Sequence, residues 1–388
     1  THCISSAASD VYKRQYLNKD KKENASLALL GELDALRIPE HAFANPETNA
    51  AHCCGHHAQM AGVFGAALAL TVPEIAEKLD GQVVFFATPA EEYGEIEFKN
   101  QLREQGKIRY GGGKCELIRT GAFDDIDLCL AHHIQQGDEI QVGSGTGNGF
   151  VSKVIRYLGK AAHAAGAPDK GVNALSAASL GLQALGLNRE TFRDEDCVRV
   201  HPIITKGGNL VNVIPDEIVI ETLVRAKTIE AFTDAAKKTD RSFQAGAVAM
   251  GAKVEITTLP GYLPTLAEQA LPELKRAAEL AAPEVPVREA AGHSGGSTDV
   301  GDVQHLMPVY TFNTGGVKGG LHQINFEVTN EEEAYIDTAK MFALAAYGLL
   351  KEKAARSKEL VKNYKPVFKD SAEYTKFMEQ FDSKEVLD

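Results

Sequence analysis

The stretch Gln82-Val-Val-Phe-Phe-Ala-Thr-Pro-Ala-Glu-Glu-Tyr93 is apolar from Val83 to Ala87 and then stops at a proline followed by two adjacent glutamates. A short apolar run closed by turn-forming residues reads as a strand buried on both faces. The run Leu27 to Leu30, ending in Gly31-Glu-Leu-Asp34, and the run Ile126 to Ala131, ending in His132-His133, follow the same plan. Between the first two lies Ala58 to Leu70, rich in alanine and leucine and too long for a typical strand, and Pro73 can open a second helix. Strands alternating with helices predict an α/β fold with a mostly parallel sheet. Such sheets carry their sites beyond the strand ends, where Glu91, Glu92 and the two histidines stand.

Outward from this core the pattern changes at Gly143-Ser-Gly-Thr-Gly147, a candidate linker. A strand near 150–158, a helix near 172–187, strands near 198–205 and 218–225, a helix near 229–250 and a strand near 253–259 form a βαββαβ unit. The first pattern then resumes with a helix near 267–280, a strand at 308–312 and a helix near 331–350. The second unit is therefore inserted into the first. The expected division is a catalytic part over 16–147, the inserted unit over 148–259, a second catalytic part over 260–350 and a charged, helical surface extension over 351–388. Residues 1–15 lack a starting methionine and any periodicity, and are set aside as a non-native scar.

A chain of 388 residues favours two domains. Its 41 basic residues against 53 acidic ones, with no basic run, argue against nucleic acid. No stretch has the roughly 20 apolar residues of a membrane helix, and no secretory signal pattern stands at the start, so the cytoplasm is expected. Six cysteines are too few for a disulfide scaffold at this length, which leaves reduced thiols or metal ligation.

The densest group of metal-capable side chains is His52-Cys-Cys-Gly-His-His57, where a loop should enter the first helix. Thiolate with imidazole suits zinc-like ions. Alone, the run is as compatible with chance composition as with a site. Glu91 and Glu92 emerge where a strand stops, and adjacent side chains diverge, so one could bind metal while the other faces substrate; an isolated pair would usually be a solvated turn. His132-His133 ends the next strand, and His322 follows the glycine-rich Gly315 to Gly320.

The motifs Glu32-Leu-Asp-Ala-Leu36, Cys54-Gly-His56, Pro89-Ala-Glu-Glu92, Gly159-Lys-Ala-Ala-His163, Asn212-Val-Ile-Pro215, Ser297-Thr-Asp-Val-Gly-Asp-Val303 and Leu321-His322 occur in this order. Together they resemble the M20 family of metallopeptidases, and within it the amidohydrolase branch of aminoacylase-like, indole-acetyl-amino-acid and aminobenzoyl-glutamate hydrolases. Each motif is weak by itself; seven in order around an inserted βαββαβ unit are specific. The resemblance runs from about Leu27 to Leu350.

It implies a metal-dependent hydrolase of N-acyl amino acids or dipeptide-like amides, holding two divalent ions, zinc or manganese with cobalt possible. Cys54 would bridge the ions, His56, Glu92, His133 and His322 would complete the sites, and Glu91 would act as general base. His133 rather than His132 is the choice of the alignment. In the inserted lid, which would also form a homodimer, the resemblance gives His163 to the oxyanion and Asn212 and Arg225 to a substrate carboxylate; a turn asparagine and a strand-end arginine are equally compatible with structural roles. Two departures stand out. The branch carries an aspartate where His57 follows His56, so the backing of His56 lacks its usual partner. The segment 96–114 is longer and more charged than its counterpart and is expected to shape the pocket. A helix and strand expected before Leu27 are missing, as in a truncated chain. Two rival readings remain: a hydrolase using Cys54 as nucleophile, and a non-catalytic metal-binding protein.

Overall fold

A computed structural model describes residues 12–387. The central sheet has the order Lys13–Leu17, Gln82–Thr88, Ser26–Glu32, Leu128–Gln136, Val309–Lys318, Ile140–Val142, Val287–Glu289. Its middle pairings are parallel: Ser26–Glu32 lies between Gln82–Thr88 and Leu128–Gln136, and Val309–Lys318 continues the sheet. The runs 27–30, 83–87 and 128–131 within these strands are apolar because both faces are covered. Leu27, Leu29, Val83 and Leu130 face one side, with Met341 and Phe342 of the helix Thr338–Asn363 and Leu274 of Pro272–Ala281. Ala28, Leu30, Val84 and Phe86 face the other, with Leu117 and Ile118 of the helix Gly113–Arg119. The helix His56–Leu70 packs tightly enough on Thr338 that a Cβ at Gly62 would lie 2.4 Å from Thr338 Cγ2.

The inserted unit is an antiparallel sheet in which Gly149–Leu158 lies between Glu217–Ala226 and Lys253–Pro260, covered by the helices Ala174–Asn188 and Ile229–Met250. Its core is continuous with that of the catalytic part through Phe150, Tyr93 and Tyr262. The strand expected over 198–205 is split into Arg199–Val200 and Ile203–Lys206, because Pro202 between them has no N–H for the ladder. The helix expected from 267 begins only at Pro272, the first position at which proline is tolerated.

Two expectations at the chain ends are corrected. Lys13–Leu17, partly inside the segment set aside as a scar, is an antiparallel edge strand on Gln82–Thr88, while residues 1–11 and anything expected before them lie outside the described residues. Its mixed charged and aromatic sequence hides the strand, since an edge needs no apolar alternation; Arg14 fastens it through Asp125 at 2.6 Å and the Ala122 carbonyl at 2.7 Å. The charged C-terminal segment is more than surface decoration. Phe368, Tyr374, Met378 and Phe381 are buried, and Ser383–Leu387 adds a strand to the lid sheet beside Lys253–Pro260. The helix expected to end at 350 does so, and non-helical residues Lys351 to Ala354 separate it from a second helical stretch that reaches Asn363.

Candidate metal centre

Two strands of the sheet and two loops converge. Cys54 and His56 flank Gly55, whose φ of +91° and closeness to Ile134 exclude a side chain: a Cβ there would lie 2.1 Å from Ile134 Cγ2. His133 comes from the strand Leu128–Gln136, Glu92 from the turn after Thr88, and His322 from a loop whose backbone N–H donates to the Cys53 carbonyl at 2.9 Å. Cys54 Sγ lies 3.5 Å from His133 Nε2 and 3.2 Å from His322 Nε2, and His322 Nε2 lies 3.0 Å from Glu92 Oε1. Donor atoms fall into the groups Cys54, His56, His133 and Cys54, Glu92, His322, each within 4.8 Å, with Cys54 common to both. A third group joins Glu32, His56 and Glu91.

Two buried donor atoms, His56 Nε2 and Glu92 Oε1, have no hydrogen-bond partner, although each lies close to another polar atom. Crowded donors drawn from sulfur, imidazole and carboxylate, two of them with buried atoms left without a hydrogen bond, fit borderline-soft divalent ions. His132 takes no part. It points to the opposite side of its strand, where Nε2 meets Thr314 Oγ1 at 2.8 Å and the ring packs on Phe312 and Phe342.

Burial pushes the Cys54 thiol up to about 12, His56 pulling weakly the other way. A nucleophilic cysteine needs the reverse. Burial and the neighbouring carboxylates of Glu32, Glu92 and Asp299 push the Glu91 carboxyl well above its usual range. Burial also pushes Glu92 upward, but His322 outweighs it and holds that carboxyl low. Neighbouring glutamates are thereby set apart, burial and like charge favouring the protonated form of Glu91 and His322 the anionic form of Glu92.

Behind the donors stands a buried charged layer that the sequence reading quoted in part without giving it a role. Lys114 is fully buried, its ammonium 2.5 Å from Glu32 and 2.6 Å from Asp299. Gln59 donates to Glu32 Oε2 at 2.8 Å, and Asp34 accepts from Glu92 N at 2.9 Å. Glu32, Asp34 and Asp299 sit inside recognised motifs, and for Glu32 and Asp34 the charge at the end of an expected strand was a further signal. Lys114 offered none beyond its place in a charged segment. Contrary to expectation, no residue of 96–113 is among those forming the cavity wall, and Lys114 stands behind it.

The cavity, about 650 Å³, opens in front of Cys54, Glu91, Glu92, His133 and His322. Arg225 lies in its wall 5.6 Å from the Phe150 ring, making no ion pair among the described residues. Neutral polar side chains such as Ser144, Thr146, Thr298 and Asn313 alternate there with apolar ones such as Leu30, Phe150 and Leu321. His163 and Asn212 are not brought to it. Both are exposed on the lid, where His163 Nδ1 accepts from Gly166 N at 3.0 Å and the Asn212 carbonyl accepts from Ala164 N at 3.0 Å.

Residues 28–347 match the peptidase family M20/M25/M40. The Xaa-Arg dipeptidase of Mus musculus is 28% identical over 323 residues, covering 81% of this chain and 67% of that protein. The N-acetylcysteine deacetylase of Bacillus subtilis is 26% identical over 337 residues, covering 84% and 82%. Among solved structures, a Bacillus subtilis protein described as a dinuclear metal-binding peptidase of the M20 family superposes with a TM-score of 0.55 at 22% identity, covering 84% of this chain and 82% of that one. The aminobenzoyl-glutamate utilization protein of Klebsiella pneumoniae superposes with 0.57 at 19% identity, covering 84% and 72%. At these identities the superpositions speak for the fold. No helix among the described residues is long and apolar enough to cross a membrane.

Proposed function

The chain belongs to the peptidase family M20/M25/M40, and on that premise we propose that it is a metal-dependent hydrolase of N-acyl amino acids or dipeptide-like amides. The observation that carries this reading is the sharing of Cys54 between two groups of donors. Cys54 would bridge two divalent ions, with His56 and His133 on one and Glu92 and His322 on the other; zinc or manganese suits the donor set, and cobalt can substitute. When bound, such ions supply a water of lowered pKa and polarise an amide carbonyl.

The chain's own residues do the rest. Glu91, held in a buried setting that raises its proton affinity, takes the water's proton and delivers it to the leaving amine. Arg225, in the cavity wall without an ion pair among the described residues, grips a substrate carboxylate in a bidentate manner. His163 and Asn212, exposed on the lid, reach the cavity of a second copy in a homodimer paired through the lids, His163 donating to the oxyanion. The five described cysteines are free thiols, which fits a reducing compartment such as the cytoplasm.

The test is metal analysis of the purified protein, then hydrolysis of a panel of N-acyl amino acids and dipeptides with zinc, manganese and cobalt. Chelator-sensitive turnover, unaffected by thiol alkylation of the metal-loaded form, is expected. Turnover that survives full metal removal and stops on alkylation would replace this reading with a cysteine nucleophile.

A further inference from the structure

The helix Ile96–Glu104 does not line the cavity, yet it reaches the glutamate turn from behind. In that turn Ala90 has a φ of 55°, a left-handed conformation that a residue with a side chain keeps only when its surroundings hold it. Three successive carbonyls are held. Ala90 accepts from Gly113 N at 2.9 Å, Glu91 from the Tyr262 hydroxyl, and Glu92 from Lys99 Nζ at 2.7 Å. Lys99 also donates to the Gly111 carbonyl at 2.8 Å, and its ammonium lies 4.7 Å from the centre of the Tyr93 ring.

Lys99 is only 2% exposed and forms no ion pair among the described residues. Desolvating a cation without a contacting anion costs several kcal/mol, so the position is demanding. The field of Asp34, Asp299, Glu92 and Glu91 and the two carbonyl hydrogen bonds offset part of that cost, while burial still prevails and lowers the ammonium's proton affinity. The helix is itself footed elsewhere. Glu97 N donates to Glu221 Oε1 of the lid at 3.2 Å, Arg156 of the lid lies 3.1 Å from Glu97 Oε1, and Arg103 lies 2.6 Å from Asp382 of the C-terminal segment.

We propose that Lys99 is a positioning residue: by holding the Glu92 carbonyl it fixes how the Glu91 and Glu92 side chains diverge, and through its helix it ties that turn to the lid. The proposal rests on the reading of Glu91 as proton acceptor and Glu92 as metal donor. The peptide between the two glutamates is held by the Tyr262 hydroxyl and Asp34, and Lys99 holds the peptide that follows Glu92, so that the backbone is fixed on both sides of Glu92; a misplacement of about 1 Å can lower turnover about 100-fold.

The test compares Lys99→Met and Lys99→Gln with wild type and Glu91→Gln, each as the full chain loaded with Co(II), reading metal stoichiometry, the visible absorption spectrum, kcat and KM. Lys99→Met should keep its full metal complement, show altered Co(II) bands and lose roughly 10- to 100-fold in kcat with little change in KM. Lys99→Gln, which keeps a donor, should recover a large part of the loss and a spectrum nearer to wild type; it carries the same readouts if Lys99→Met does not fold. An unchanged spectrum and kcat in the folded variants would overturn the proposal, as would a fall in kcat matched by loss of metal. If wild type cuts no amide, the proposed activity fails by itself and the Co(II) spectrum still decides the role of Lys99. If Glu91→Gln stays active, the proton-acceptor reading fails separately.

Discussion

His56 Nδ1 lies 3.1 Å from the backbone carbonyl of Asp34 and 3.3 Å from its Oδ1, in a position where both residues are buried. The ring is thus backed from the end of the strand Ser26–Glu32, not by the residue that follows it. His57 turns away, packing on Phe326 and Tyr335. The aspartate missed after His56 therefore has a substitute, and Nε2 is left to face the other donors. Burial raises the Asp34 carboxyl's proton affinity, but contact with His56 outweighs it and keeps that carboxyl anionic.

Asp34→Asn removes the negative charge behind the imidazole while keeping its shape. Metal affinity at the His56 side should fall about 10- to 100-fold. Competition with a chromophoric chelator measures this, and unchanged affinity would show that the carbonyl alone orients the ring.

Cys54→Ser should lose bound metal, whereas Cys53→Ser should keep it. Cys54 faces His133 and His322, while Cys53 is buried with its thiol directed at the Ala51 carbonyl at 3.6 Å. Equal metal content in wild type and Cys54→Ser removes Cys54 from the ligand set.

Glu91→Gln should retain metal yet lose about 100-fold or more in turnover, the scale of general-base catalysis. Glu92→Gln should instead lose metal. The opposite pattern in a metal assay paired with kinetics would exchange their roles.

Tyr374→Phe tests the C-terminal segment. Its hydroxyl donates to buried Asp302 at 2.8 Å, so the change leaves a carboxyl oxygen short of a donor and should cost about 1–3 kcal/mol in denaturant unfolding, with activity per folded molecule preserved. No loss of stability would make the segment's docking purely apolar.

His163→Ala and Glu91→Gln proteins should each be nearly inactive, yet regain activity when mixed under conditions of subunit exchange. Random pairing gives about half heterodimers, each with one site holding both residues, so roughly a quarter of wild-type activity is expected. An inactive mixture in which exchange is demonstrated would confine His163 to its own subunit or to packing.

The α/β alternation and the inserted antiparallel unit could be read from the sequence, because hydrophobic periodicity is a local property; Cys54, His56, Glu92, His133 and His322 were singled out through the family resemblance, and the folded chain brings these side chains together. Which way His132 and His133 point could also be framed in the sequence, since neighbours on a strand face opposite sides. The edge strand Lys13–Leu17 and the docking of Ser383–Leu387 on the lid could not, because edge pairing demands little of a sequence pattern. Nor could the layer behind the donors. Lys114 and Asp299 stand 185 residues apart and meet only after the sheet has formed, and Lys99 meets the Glu92 carbonyl only after its helix has docked. A buried charge needs partners that the low-dielectric interior makes obligatory, and long-range packing alone brings them within reach.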